Sequence, residues 1–354
     1  MVWALLLGCA KTPPASSGDL VDQGAKVPSQ TSVEIVEKQA ADLDPDRRAQ
    51  ALGWWVRATP TEQLNAVITR GLHDPAHTVQ TAVALATLER DPTSKLLHEA
   101  ASRALTDPYL RAQLAHTLSI PTTTMWKDYS EPWFQAPLLI QSTVGDEREQ
   151  GLRVLRNGDV RSDAGWFIHL VPLEIEGLDD ALIGALSSEP ELALLAAFTL
   201  HARGSSKGTT VVRKALQSSD PTEVIEAIEW AAQFAPETIR WAARTKAADA
   251  QLIANLYLQP ERWIADAATD SSIQVRSHAM KAAHRQVEVD GKGKEARQAL
   301  AVLTEGLNDA SPVVRLAAIG PSTPIEALHN GRKDRDASVR LACAGREWTR
   351  RKTP

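Results

Sequence analysis

The chain is 354 residues long, 43% hydrophobic and 23% charged, with a formal net charge of -5. That balance excludes a disordered chain and a bundle of membrane spans, and it argues against a general nucleic-acid binder. The charge is uneven: from Arg332 onward eight basic residues stand against three acidic ones, so this end is +5 and the remainder -10. Such an end suits either a solvated helix face and tail or docking to an anionic surface.

The first predicted element is a short apolar run, Val2 to Leu7, followed by Gly8 and Cys9. Leu6-Leu7-Gly8-Cys9 resembles the lipobox of bacterial lipoproteins. That resemblance implies cleavage of residues 1–8, acylation of the Cys9 sulfur and anchoring of the chain to a membrane through the lipid. No basic residue precedes the run, and it is only six residues long; a start upstream of Met1 would account for both. Ala10, rather than an aspartate, follows the cysteine, which in lipoproteins of Gram-negative bacteria goes with the outer membrane, facing the periplasm. The plainer alternative is a frayed apolar terminus with an incidental cysteine, which would leave the protein cytoplasmic. Lys11 to Gln30 is rich in Pro, Ser and Gly, so residues 9–30 read as a flexible tether and the folded body as residues 31–350. Cys343 is the only other cysteine; it stands in place of a small core residue and reads as an inert buried thiol.

Turn signals then recur. Asp44-Pro45, Asp74-Pro75, Asp107-Pro108 and Asp220-Pro221, with Glu189-Pro190 as a variant, include spacings of 30, 33 and 31 residues. The aspartate caps and the proline opens a following helix. Apolar residues of helical period come after them, such as Val79, Ala82, Val83 and Ala86, and no stretch alternates well enough to predict a strand. Second helices are predicted to start near residues 46, 77, 109, 146, 190, 221, 249, 271, 312 and 336. Ser119 to Pro137 breaks the rhythm with Trp126, Tyr129, Trp133 and Phe134. An insertion at 119–137 either projects these aromatics as a partner-binding loop or lays them over an adjacent hairpin.

Near the C-terminus a spaced signature returns as Asp270…Val275-Arg276…Ala279, Asp309…Val314-Arg315…Ala318 and Asp334…Val339-Arg340…Cys343. The pattern resembles HEAT repeats, specifically in these three units and more loosely upstream. The implied fold is all-α, an α-α superhelix: a solenoid of roughly eight to ten helical hairpins, each burying its apolar face only by stacking on its neighbours. The resemblance also implies that the aspartates and arginines form a ladder between neighbouring units, which leaves these arginines structural rather than ligand-binding.

Few residues suggest chemistry. His73 and His77 flank Asp74-Pro75, a turn that separates them, so no metal pair is expected. Gly204-Ser205-Ser206-Lys207-Gly208 has the composition of a phosphate loop without its spacing and reads as a hairpin turn. No cofactor and no catalytic residue is predicted.

Helix geometry points instead to a surface. A wheel set on Ile225 places Trp230 about 140° away, opposite Ile228, Ala232 and Ala235. In later units the same wheel places Met280, Leu316, Ile319, Leu341, Ala344 and Trp348 about 140–200° from the β-branched core residue. Second helices of HEAT-like arrays line the concave face, so Trp230, Met280, Leu316, Ile319, Leu341 and Trp348 are candidates for a partner-binding groove. The competing expectation is that curvature or the returning chain end buries them. The leading functional reading is a non-enzymatic, lipid-anchored scaffold that binds a protein or peptide at the bacterial cell envelope. Alternatives are a HEAT-like enzyme, akin to certain DNA glycosylases or bilin lyases, and a purely structural spacer; no nucleic-acid partner is expected of so acidic a chain.

Overall fold

The computed structural model describes residues 31–352, apart from 103, 104, 106, 123 and 292. The anchor motif at Cys9 and the tether lie outside the described residues. Among those described there is no strand, and no helix is long and apolar enough to cross a membrane.

The helices start where the turn chemistry places them. Asp44, Asp107 and Asp220 accept backbone N–H bonds at the heads of α2 (Pro45–Ala58), α6 (Pro108–Thr117) and α13 (Pro221–Phe234), with proline in each first turn. Ten hairpins follow one another along the chain. The first is α1 (Ser32–Gln39) with α2; then come α3 (Thr61–Leu72) with α4 (His77–Arg90), α5 (Lys95–Ser102) with α6, and α7 (Pro132–Leu139) with α8 (Gly145–Arg156). After α9 (Ala164–Leu170), α10 (Leu178–Ala185) pairs with α11 (Pro190–Ala202) and α12 (Ser206–Leu216) with α13. The 3-10 segment Pro236–Arg244 pairs with α14 (Ala248–Leu258), and α15 (Pro260–Ala268) with α16 (Ile273–Asp290). The last two hairpins are α17 (Lys294–Gly306) with α18 (Pro312–Ala317) and α19 (Ile325–Gly331) with α20 (Ala337–Lys352).

One unit departs from the two-helix rule. The expected second helix near residue 146 exists as α8, but it packs between α7 and α10, while the additional helix α9 stands between α6 and α11. Asp163 caps α9, and Trp166 and Phe167 bury completely.

A repeated turn ties the units together. Asp42, Asp74, Asp270, Asp309 and Asp334 each accept a bond from the N–H two residues on, at 2.7–2.9 Å. Six residues after three of them, Arg48, Arg276 and Arg315 donate to carbonyls of their own turn and grip the next aspartate with two bonds: Arg48 on Asp74, Arg276 on Asp309, Arg315 on Asp334. A planar guanidinium meets both needs at once, which a lysine would not. In the second unit Gln80 replaces the arginine and donates to the Asp74 carbonyl. The first unit therefore takes its register from Asp42; the more conspicuous Asp44-Pro45 is the helix cap two residues later.

The array closes on itself. Beyond α18 and α19, α20 also packs against α1 and α2. Val339 and Cys343 enter the C-terminal core with Val314 and Leu328, whereas Leu341, Ala344 and Trp348 enter the N-terminal core with Val36, Leu52 and Val56. Glu347 is fully buried at this seam. It accepts a 2.7 Å bond from the Ser32 hydroxyl of α1 and pairs with Arg332 at 3.0 Å and His329 at 3.2 Å. Gly345 is the close approach: a Cβ there would stand 2.2 Å from the Trp54 ring.

Candidate functional site

The aromatic insertion is built on a buried cation. Arg111 of α6 is 1% exposed, and it donates to the carbonyls of Ala101, Ser102 and Met125 and to Asp128 at 2.6 Å. These bonds fix the 3-10 turn Met125–Asp128 over α6. Trp126 lies half-buried against Ala112, Ala115, Met125 and Leu138. Tyr129 covers the Arg111 guanidinium at 5.8 Å and donates to the Leu105 carbonyl at 2.7 Å; burial raises its pKa. These two aromatics cover a hairpin.

Trp133 and Phe134 do something different. They lie stacked, ring centroids 3.6 Å apart, at the head of α7, and Trp133 is 38% exposed. Their base is rigid: buried Tyr109 donates to the Trp133 carbonyl at 3.3 Å and itself accepts the Arg161 N–H at 2.6 Å. Arg161 in turn sits over the Tyr109 ring at 4.3 Å and pairs with Asp107 and Asp163. A large amphipathic ring held in water on a preorganised support is the surface type that anchors protein partners.

The groove expected from helical wheels is not an exposed surface. Met280 is 1% exposed, Leu341 0% and Trp348 7%, while Trp230, Leu316 and Ile319 are half-buried against the C-terminal core. The six do not converge either, since Leu341 and Trp348 belong to the N-terminal core. The reason is geometric: a second helix here packs on its own first helix and on the second helices before and after it, so residues opposite the hairpin core are buried by the flanking units. For α20 the burying unit is the first one.

Other sequence candidates fall into structural places. His73 ends α3 with its Nδ1 2.8 Å from the Thr69 carbonyl, and His77 opens α4 across the turn. Gly204 has φ 86° and leads to Ser205, the residue preceding α12, forming a hairpin turn. Cys343 is buried, and burial lifts its thiol to about 12. Among the described residues no group of three His, Cys, Asp or Glu is disposed to hold a metal ion.

Two polar sets were not legible as sites. On facing turns of α13 and α16, Glu229 pairs with His278 at 3.2 Å and Lys281 at 2.9 Å. Burial opposes the charged form of Glu229, yet these partners hold it down to about 2. At the closing seam, Trp54 carries Arg57 and Arg346 at 5.6 and 5.5 Å from its ring. The only sequence signal for the second set was the excess of basic residues after Arg332. No protein-family model matches this chain, and no curated protein matches it.

Proposed function

We propose that this protein is a non-enzymatic, HEAT-like scaffold, tethered to the bacterial envelope through a lipid on Cys9, that binds a protein or peptide partner with its aromatic corner. The observation that carries the reading is the Trp133–Phe134 stack: 38% exposure of a tryptophan on a base bolted by Tyr109 and Arg161. Trp133 belongs to none of the buried core clusters, and a rigid aromatic anchor binds with little loss of conformational entropy. The tether composition between Cys9 and Gln30 supports the membrane attachment.

The test is site-specific photocrosslinking in intact cells. A photoreactive residue at Trp133 is expected to give a discrete adduct, and one at Val289, which is 86% exposed on the array's other half, none. Trp133→Ala should leave the melting temperature unchanged while weakening capture of the crosslinked partner at least tenfold, and Cys9→Ser should release the chain from membranes. Absence of any adduct at position 133, with the protein folded and at the membrane, would overturn the recognition reading.

A further inference from the structure

The closing seam gathers more positive charge than the protein neutralises. Arg57 of α2 and Arg346 and Arg350 of α20 come together there, against Glu89 of α4 and Glu288 of α16, with Arg90 of α4 bound to the Val56 carbonyl beside Arg57; α20 meets α2 only because the array closes. Two of the cations are engaged. Arg90 donates to the Val56 carbonyl and Arg350 to the Thr323 carbonyl. Arg57 binds Glu89 through Nε at 2.8 Å, but its Nη2 is buried without an acceptor. Arg346 has no acceptor for its buried Nε; its guanidinium rests 5.5 Å from the Trp54 ring, on the same indole that carries Arg57.

A guanidinium out of water without an anion is the costly arrangement that proteins avoid or use. The surroundings register that cost. Burial, then Arg350 and Arg57, bring Arg346 down to about 10, and burial with Arg346 and Arg350 brings His284 down to about 4, so His284 adds no charge of its own at neutral pH. With four arginines against two glutamates the seam carries two uncompensated positive charges. Glu89 also lines a crevice of about 110 Å³ with Leu85, Leu88, Pro92 and Thr117.

We propose that the seam is a phosphate-binding site, in which a phosphate dianion, free or carried on a small ester, is held by Arg57, Arg346 and Arg350 beside Trp54. A dianion with three or more acceptor oxygens matches both the charge excess and the several unfilled N–H donors; a single carboxylate matches neither, as Glu89 already shows by satisfying only one edge of Arg57. Because the donors come from the first hairpin and the last, the ligand would bind only the closed array and would brace it.

The test is thermal unfolding of the full chain with inorganic phosphate, glycerol phosphate or citrate, at ionic strength matched with sodium chloride. Inorganic phosphate or the ester is expected to raise the melting temperature by about 3 °C at a hundredfold excess over its dissociation constant. Arg346→Met should abolish that rise while melting no lower than the parent, since it removes an unpaired charge. If Arg346→Met does not fold, Arg350→Met is expected to weaken the binding of inorganic phosphate, read by titration calorimetry, at least tenfold. An equal rise in the variant, a rise with citrate alone, or no rise with either phosphate compound would overturn the assignment.

Discussion

At the scale of single residues, the ladder shows how one side chain does two jobs. Asp309 receives the Arg276 fork at 2.7 and 3.1 Å and the Ser311 N–H at 2.7 Å, and the bond from Arg276 leads the effects that hold its carboxyl below the ordinary range. Asp309→Ala should destabilise the protein by about 1–3 kcal/mol, because it strands a half-buried guanidinium and a turn N–H; an unchanged denaturation midpoint would contradict the ladder's role. His169 offers the opposite sign of linkage. Burial, helped by His116 with its ring 4.5 Å away, lowers His169 to about 4 from 6.5. The unfolded chain therefore binds the proton more readily, so the contribution is full above pH 6.5 and is lost as pH falls toward 4. His169→Phe should flatten the acid slope of stability in that window by up to about 1.4 kcal/mol per pH unit, measured by urea unfolding across the window. The ladder aspartates were legible in sequence because their spacing repeats. Asp42 was not, since Asp44-Pro45 two residues on has the stronger turn chemistry.

At the scale of elements, α20 is the helix on which the architecture depends. It is covered on two flanks: Val339 and Cys343 face the last units, and Leu341, Ala344 and Trp348 face the first. A wheel drawn for a single hairpin recognises one apolar face and assigns the opposite one to solvent, which is how Leu341 and Trp348 became groove candidates. The polar content of the helix reads differently once its neighbours are known, because Glu347 is a buried partner of Ser32 and Arg332 rather than a surface charge. Gly345→Ala tests the packing. Its Cβ would fall 2.2 Å from the Trp54 ring, so despite the better helix propensity of alanine the variant should lose about 1–3 kcal/mol. A gain in melting temperature would show that α20 does not sit against α2. The aromatic insertion also divides by element: the 3-10 turn takes Trp126 and Tyr129 into the structure, and the first turn of α7 leaves Trp133 outside.

At the scale of the whole molecule, closure changes what kind of solenoid this is. An open array has two end caps and unfolds from either; a closed one has no free end, and each hairpin is stabilised from both sides. Ending the chain after Asp336 removes α20 and uncovers Ile35, Val36, Leu52 and Val56 of the first hairpin. That truncation should increase the radius of gyration in solution scattering and should abolish amide protection in α1 while leaving the central hairpins around α10 to α13 protected. Protection of α1 equal to that of the full chain would show that the first hairpin does not depend on the last.

The sequence by itself determined the local grammar of this protein. Asp-Pro turns, helical apolar period and the recurring Asp-to-Arg spacing act over a few residues, so the second helices begin within two residues of where those signals place them. The ladder that the repeat resemblance implied joins units through Arg276 and Arg315, whereas Arg340 donates to the Asp334 and Arg335 carbonyls of its own turn. Only the tertiary structure decided that the chain end returns to its beginning, since closure depends on curvature summed over ten hairpins and on the packing of residues some three hundred positions apart, such as Ser32 and Glu347. That one non-local fact buries the α20 end of the expected groove, Leu341 and Trp348, and it brings the arginines of α20 to those of α2.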